Sequence, residues 1–187
     1  MQSPSLCYRQ IRKGRGAYHM VTFSQLWSNH PTNLGEQYPC RTLGIGNFDN
    51  QCAIRMGVCL KRCGVTAAEI RGAITCNQAK LTNHPGDDMH FIRAKEVANA
   101  LRRTSIAGIG PVYSLTKPDN FAEELDGRKG IIFFNGYWWR VTDTTRPTGD
   151  HIDLWNGWRT SAKMLFPWFG WLGGYNKSSE IWFWEVK

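Results

Sequence analysis

The sequence predicts a single α+β domain, with helices in its first half and an antiparallel sheet in its second. The apolar stretch at residues 52–60 (CAIRMGVCL) and an amphipathic run ending near Arg103 carry helical periodicity. By contrast, residues 131–134, 138–141, 151–155 and 181–186 are short β-branched and aromatic runs of strand type. Helices first and strands afterwards make an α+β domain. Size agrees: 187 residues bury roughly 70% of their surface on folding, enough for a core without covalent staples.

Residues 1–40 read as an irregular segment, the first 20 as a leader, with a short apolar patch at 23–27 broken by Asn29, Pro31, Asn33 and Pro39. A loop of small residues lies next, at 44–50 (GIGNFDN). In the helix after it, Ala53, Met56, Gly57 and Leu60 share one face and Ile54 and Val58 another, leaving Arg55 and Arg62 as the polar stripe. A helix apolar nearly all round is a buried central one. Asp49 or Asn50 would cap it, placing Cys52 in its first turn. Thr66 and Glu69 form a capping box, and Gly72 keeps the helix that they start short. Asp87 or Asp88 starts a helix to about residue 103, with Ala94, Val97, Ala98 and Leu101 on one face. Gly108-Ile109-Gly110-Pro111 ends that half. Residues 131–134 and 138–141 flank Asn135-Gly136-Tyr137, a hairpin signal. Residues 151–155 alternate before Asn156-Gly157, and residues 181–186 (IWFWEV) close the sheet. Most of the nine Trp belong to the sheet core, with one or two expected along a groove.

With 42% hydrophobic and 20% charged residues, the chain is too apolar for a disordered tail. It has no run of 18 apolar residues, hence no spanning helix. The N-terminus lacks an apolar h-region, so no Sec signal is expected. A net charge of +8 suits an anionic partner. The longest basic cluster is only RKGR at residues 12–15, so nucleic acid is not expected; a cell wall or lipid headgroups fit the charge equally well. The six cysteines (7, 40, 52, 59, 63 and 76) match no zinc knuckle, and the five histidines have no paired metal spacing, His84 and His90 at most sharing a helix end. No metal and no cofactor are therefore expected. Six cysteines do exceed what a reduced cytosolic enzyme needs, which predicts one or two disulfides in an oxidising compartment.

A cysteine is by default a small core hydrophobe. Cys52 differs in its address, after a Gly-rich loop and at the start of a buried helix, where the dipole and free N–H groups favour a thiolate. A base is needed as well. His151 begins a strand about a hundred residues later, at an edge expected to keep the imidazole partly solvated. Helix-borne Cys before strand-borne His is the order of papain-like enzymes.

Four blocks carry a closer likeness: residues 50–57 (NQCAIRMG), 130–134 (GIIFF), 149–157 (GDHIDLWNG) and 179–184 (SEIWFW). They resemble the type VI secretion amidase effectors of family four, in the papain-like NlpC/P60 superfamily, from about residue 20 to the end. The resemblance implies one papain-like amidase domain over residues 1–187, its Cys-bearing helix packed on an antiparallel sheet. It also implies a toxin made in the cytoplasm, delivered by the type VI machinery and acting on peptidoglycan stem peptides in the periplasm of target cells, with a cognate immunity protein. The bond cut would join D-glutamate to meso-diaminopimelate.

Cys52 carries over as nucleophile and His151 as base. The family's orienting Asp lies past the segment matching Arg159, where this chain reads Thr160-Ser161-Ala162-Lys163 with no carboxylate. Asp153, on the same strand face as His151, is the chosen third member; Asn156 or a hydroxyl near residue 160 are the alternatives. Cys52 would form a thioester, its own N–H among the oxyanion donors. The competing functions are a papain-like acyl transferase or protease, and a non-catalytic wall- or nucleic-acid-binding module. Setting Cys52 aside leaves five cysteines and at most two disulfides, Cys63–Cys76 being one candidate pair.

Overall fold

A computed structural model describes residues 20–82, 89–115, 117–139, 145–161 and 174–187. Cys7, the basic cluster at 12–15, His19, His84, Asp87, Asp88, Arg140, Val141, Trp168 and Trp171 lie outside the described residues. So do Ala162 and Lys163, and residues 166–173.

Helices α1 (Phe23–Asn29), α2 (Cys52–Arg62) and α3 (Ala94–Arg103) precede strands β3 (Ile109–Leu115), β4 (Gly130–Trp138), β5 (Gly149–Trp155) and β6 (Glu180–Val186). A two-stranded ribbon of β1 (Arg41–Thr42) and β2 (Ile45–Gly46) lies ahead of α2, and the short α4 (Phe121–Glu124) lies between β3 and β4. The main sheet is antiparallel throughout, in the order β3-β6-β4-β5. Alternation gives it two buried faces. Ile131, Phe133, Trp182 and Trp184 pack with the three helices, whereas Ile132, Phe134, Ile181 and Phe183 pack with Phe121, Leu125 and Tyr175.

Helix α2 is central, as its composition requires: Ala53, Ile54, Met56, Gly57, Val58, Cys59 and Leu60 are all buried. Its contacts include α1, α3 and β5. Gly57 permits this closeness, since a Cβ there would stand 1.9 Å from the Met89 carbonyl oxygen. Gly57→Ala therefore overpacks a backbone that cannot yield easily. It is expected to lower unfolding free energy by about 3 kcal/mol, read as a reduced urea midpoint with unchanged slope; an unaltered midpoint would contradict this packing.

Several elements depart from the sequence expectations. The segment assumed irregular contains α1, nucleated by a capping box in which Gln25 N–H donates to Thr22 Oγ1 and Thr22 N–H donates to Gln25 Oε1. The N-cap of α2 is Gln51, not Asp49 or Asn50, although the Asn50 side chain accepts the Cys52 N–H at 3.2 Å. Helix α3 starts at Ala94, because residues 90–92 are extended: Phe91 bridges Thr75, His90 O accepts from Cys76 N and Ile92 N donates to Ile74 O. His90 therefore occupies no helix end. Thr66 and Glu69 make their capping box on a single 3₁₀ turn.

Gly110 and Pro111, taken as a terminator, lie inside β3, an edge strand whose register shifts between Ile109 and Val112. Edge strands and bulges are where a strand tolerates proline. Asn135-Gly136 makes no hairpin turn either. Strand β4 runs through it, the register slipping between Phe134 and Trp138 with Gly136 at φ 60°, and β5 is its partner. A glycine at positive φ serves a bulge as well as a turn. Of the tryptophans, Trp155, Trp182 and Trp184 are core, whereas Trp139 and Trp158 are exposed.

Candidate active site

The helix start and the edge strand bring Cys52, His151 and Asp153 together. Cys52 is the first residue of α2, where N–H groups precede the first intrahelical acceptor. Gln51, fully buried, fixes that start: its side chain accepts from Cys40 N at 2.9 Å and donates to Cys40 O at 2.8 Å. Strand β5 is the edge strand of the sheet, and the backbone N–H of Ile152 is donated to the Cys52 sulfur. The His151 side chain hydrogen-bonds the same sulfur.

His151 is buried, contrary to the solvated edge expected of it. The edge of β5 is covered by α2 and α3, and Phe134, Tyr137 and Tyr175 wall the imidazole, with Tyr175 5.5 Å from it centroid to centroid. Its Nε2 lies 3.4 Å from Asp153 Oδ2, which leaves Nδ1 to face the sulfur. The two-residue spacing along the strand is thus short enough for contact. The alternative third members engage other groups: Asn156 Oδ1 accepts the N–H groups of Trp158 and Arg159, and the Ser161 hydroxyl binds Asp153.

Asp153 is held by more than the base. Leu154 N–H and the Ser161 hydroxyl both donate to Oδ1, and His30 Nε2 stands 3.7 Å from it. Ser161 Oγ also lies 3.1 Å from His30 Nδ1. His30, Asp153 and Ser161 are all buried. Burial pushes His30 down to about 4, despite the pull of Asp153, so it is neutral at pH 7. Burial alone would raise Asp153, but its hydrogen bond to His151, with the neighbouring His30 and Ser161, holds it below the usual carboxylate range.

The sulfur and imidazole stabilise one another's charge. Burial pushes the Cys52 thiol up, yet the hydrogen bond and charge of His151 and the Ile152 N–H together hold it below the ordinary thiol value. Burial pushes His151 down, and its hydrogen bonds to Asp153 and Cys52 reverse this, lifting it to about 10. The arrangement is able to hold a thiolate beside an imidazolium at neutral pH, the state a cysteine nucleophile needs.

Cys52 opens on a cleft of about 920 Å³ whose rim carries Arg93, Lys95, Arg146 and Lys177 against Glu96 and Asp150. Trp138 lines it too, the groove aromatic that composition anticipated. His30 and the clasp made by Gln51 were missed in the sequence. The Thr22-x-x-Gln25 box, which builds the helix leading into His30, was the available signal.

The disulfide expectation is not met by the proposed pair. Cys63 packs against Cys59 on the next turn of the same helix, and Cys76 against Cys40, with sulfurs 3.8 Å apart. No Cys63–Cys76 bond forms: both remain thiols and sit in separate core clusters.

The sequence profile of the family described as type VI secretion system (T6SS), amidase effector protein 4 (Tae4) matches residues 48–184. The chain is similar in structure to the type VI effector Tae4 from Enterobacter cloacae: TM-score 0.52, 22% identity, 90% of this chain and 99% of that one covered. It is also similar to a chain in the Tae4/Tai4 effector–immunity system from Salmonella typhimurium: TM-score 0.51, 19% identity, 89% and 98% covered. No curated protein sequence matches. The shared fold is the α+β papain-like NlpC/P60 fold.

Proposed function

The chain belongs to the family of type VI secretion peptidoglycan amidase effectors numbered four, and from that premise we propose that Cys52, His151 and Asp153 cut the γ-D-glutamyl–meso-diaminopimelate bond of stem peptides through a thioester. The observation that carries this is the buried hydrogen-bonded series Cys52–His151–Asp153, whose Cys52 lines a cationic cleft. Stem peptides present carboxylates, which Arg93, Lys95, Arg146 and Lys177 would meet.

The thiolate attacks the γ-glutamyl carbonyl carbon, and the oxyanion is received at the helix start. The Ala53 N–H, in the first turn of α2, is one donor in this proposal. The Cys52 N–H becomes available once the oxyanion displaces the Asn50 side-chain Oδ1 that accepts it at 3.2 Å. Protonated His151 then gives its proton to the departing amine, and water, deprotonated by the same imidazole, hydrolyses the thioester. Asp153 keeps the ring oriented throughout.

Residues 1–187 act as one amidase domain in this proposal, both faces of one sheet being filled from the same chain. Secretion follows from the family. Action in the periplasm of the target cell, and inhibition by a cognate immunity protein like that paired with the Salmonella typhimurium effector, are parts of the same proposal. The described residues include no helix long and apolar enough to cross a membrane.

Digestion of purified sacculi tests it. Mass analysis should find fragments cut between D-glutamate and meso-diaminopimelate, and kcat/KM should depend on pH in two limbs. It rises as the thiol ionises, below the ordinary thiol range, and falls near pH 10 as His151 loses its proton. Products cut at another bond, or joined to an added amine instead of water, would replace the amidase with a protease or acyl transferase.

A further inference from the structure

Beside α2, packed with Ile54 and Val58, Cys40 and Cys76 converge with His90. Their ligand atoms all lie within 4.8 Å of one another and all three residues are buried. They come from segments far apart in sequence, which is why no knuckle spacing betrays them. We propose that these three side chains form a Zn²⁺ site, with water completing a tetrahedron.

The geometry is the first support. Two thiolates at the usual Zn–S length of about 2.3 Å in a tetrahedron stand about 3.8 Å apart, and the sulfurs of Cys40 and Cys76 are 3.8 Å apart. The imidazole needs to move by no more than about 1 Å to reach its own bonding distance. Backbone bonds already fix the three positions. Cys76 N–H donates to His90 O at 2.9 Å, and the side chain of Gln51 clasps both polar backbone atoms of Cys40.

The surroundings are the second support. Asn47 Nδ2 stands 3.4 Å from Cys40 Sγ, an N–H donor of the kind that accompanies metal-bound thiolates. Ile54, Val58, Phe48 and Ile92 form a dry shell around the sulfurs. His90 reaches a surface depression of about 480 Å³ beside Tyr38 and Pro39, which supplies an entry path. Two thiolates and an imidazole select a soft or borderline cation, Zn²⁺ over Mg²⁺ or Ca²⁺. Binding breaks two S–H bonds and forms two Zn–S bonds, both protons passing to the buffer.

The test uses the full chain, kept reduced and stripped with a chelator. Titration with Co²⁺ should give the visible bands of a tetrahedral ion and a thiolate charge-transfer band, saturating at one equivalent and erased by Zn²⁺. The bands should vanish in Cys40→Ser and Cys76→Ser and persist in Cys63→Ser. In wild type, Zn²⁺ should slow alkylation of Cys40 and Cys76 at least tenfold and leave Cys63 unaffected; this readout holds even if the serine variants fail to fold. Absence of the bands, their survival without Cys40 or Cys76, or equal alkylation with and without Zn²⁺ would overturn the site. None of these readouts passes through sacculus digestion, so metal and amidase stand or fall separately.

Discussion

Cys52→Ala is expected to abolish sacculus digestion, with kcat reduced by about 10⁴-fold or more, while the folded structure survives. Without sulfur the carbonyl has no nucleophile and no thioester can form. The remaining features, a cationic cleft and free N–H groups at the helix start, still bind the peptide but supply no bond-making atom. Loss of the thiol removes little packing, because one small atom at the rim of the core departs and its neighbours are otherwise retained. The variant should therefore keep its thermal transition within a few degrees and still bind sacculi in a sedimentation assay. Cys63→Ala serves as the comparison, since Cys63 lies at the far end of α2 from the cleft. Persistence of digestion in Cys52→Ala would remove the nucleophile from the mechanism.

Asp153→Asn should be nearly as costly, with kcat lower by about 10⁴-fold. Oδ1 accepts from both Leu154 N–H and the Ser161 hydroxyl, so the oxygen of an asparagine must take that position. Its NH₂ is then turned to His151 Nε2. An amide donor there makes Nε2 the acceptor and moves the ring proton to Nδ1, the nitrogen facing Cys52. A protonated, neutral Nδ1 is unable to take the thiol proton. The thiol should return towards its ordinary range, and alkylation of Cys52 at pH 7 should slow in parallel with digestion. Activity within tenfold of wild type would mean that Asp153 does not set the tautomer.

The legible and illegible parts of this molecule divide along the range of the forces involved. Helix α2 was readable because its burial is written in eight local residues, β5 because residues 151–155 alternate, and β6 because residues 181–186 are a short β-branched and aromatic run. The Asn135-Gly136 bulge was misread, since positive φ at one glycine is common to a turn and a slip of register, and only the partner strand decides between them. Cys52 and His151 could be named from their local addresses. Their burial could not, because it arises when α3 covers an edge that is open in the sequence. Asp153 rested on strand periodicity and its reach to the ring on strand geometry. His30, 123 residues upstream of Asp153, had as its local mark only the Thr22-x-x-Gln25 box of the helix before it, and nothing that tied it to Asp153. The same holds for Cys40, Cys76 and His90, which only tertiary folding collects.

The position of β6 constrains how the protein can be born. It lies between β3 and β4, and among the strands of the main sheet β3 pairs with β6 alone. A ribosome-bound chain that has not yet released residues 180–186 holds Cys52 and His151 but lacks the strand that seals the sheet beneath them. A chain that lacks residues 180–186 consequently holds β3 and β4 with no strand between them, and the sheet beneath Cys52 and His151 stays unassembled.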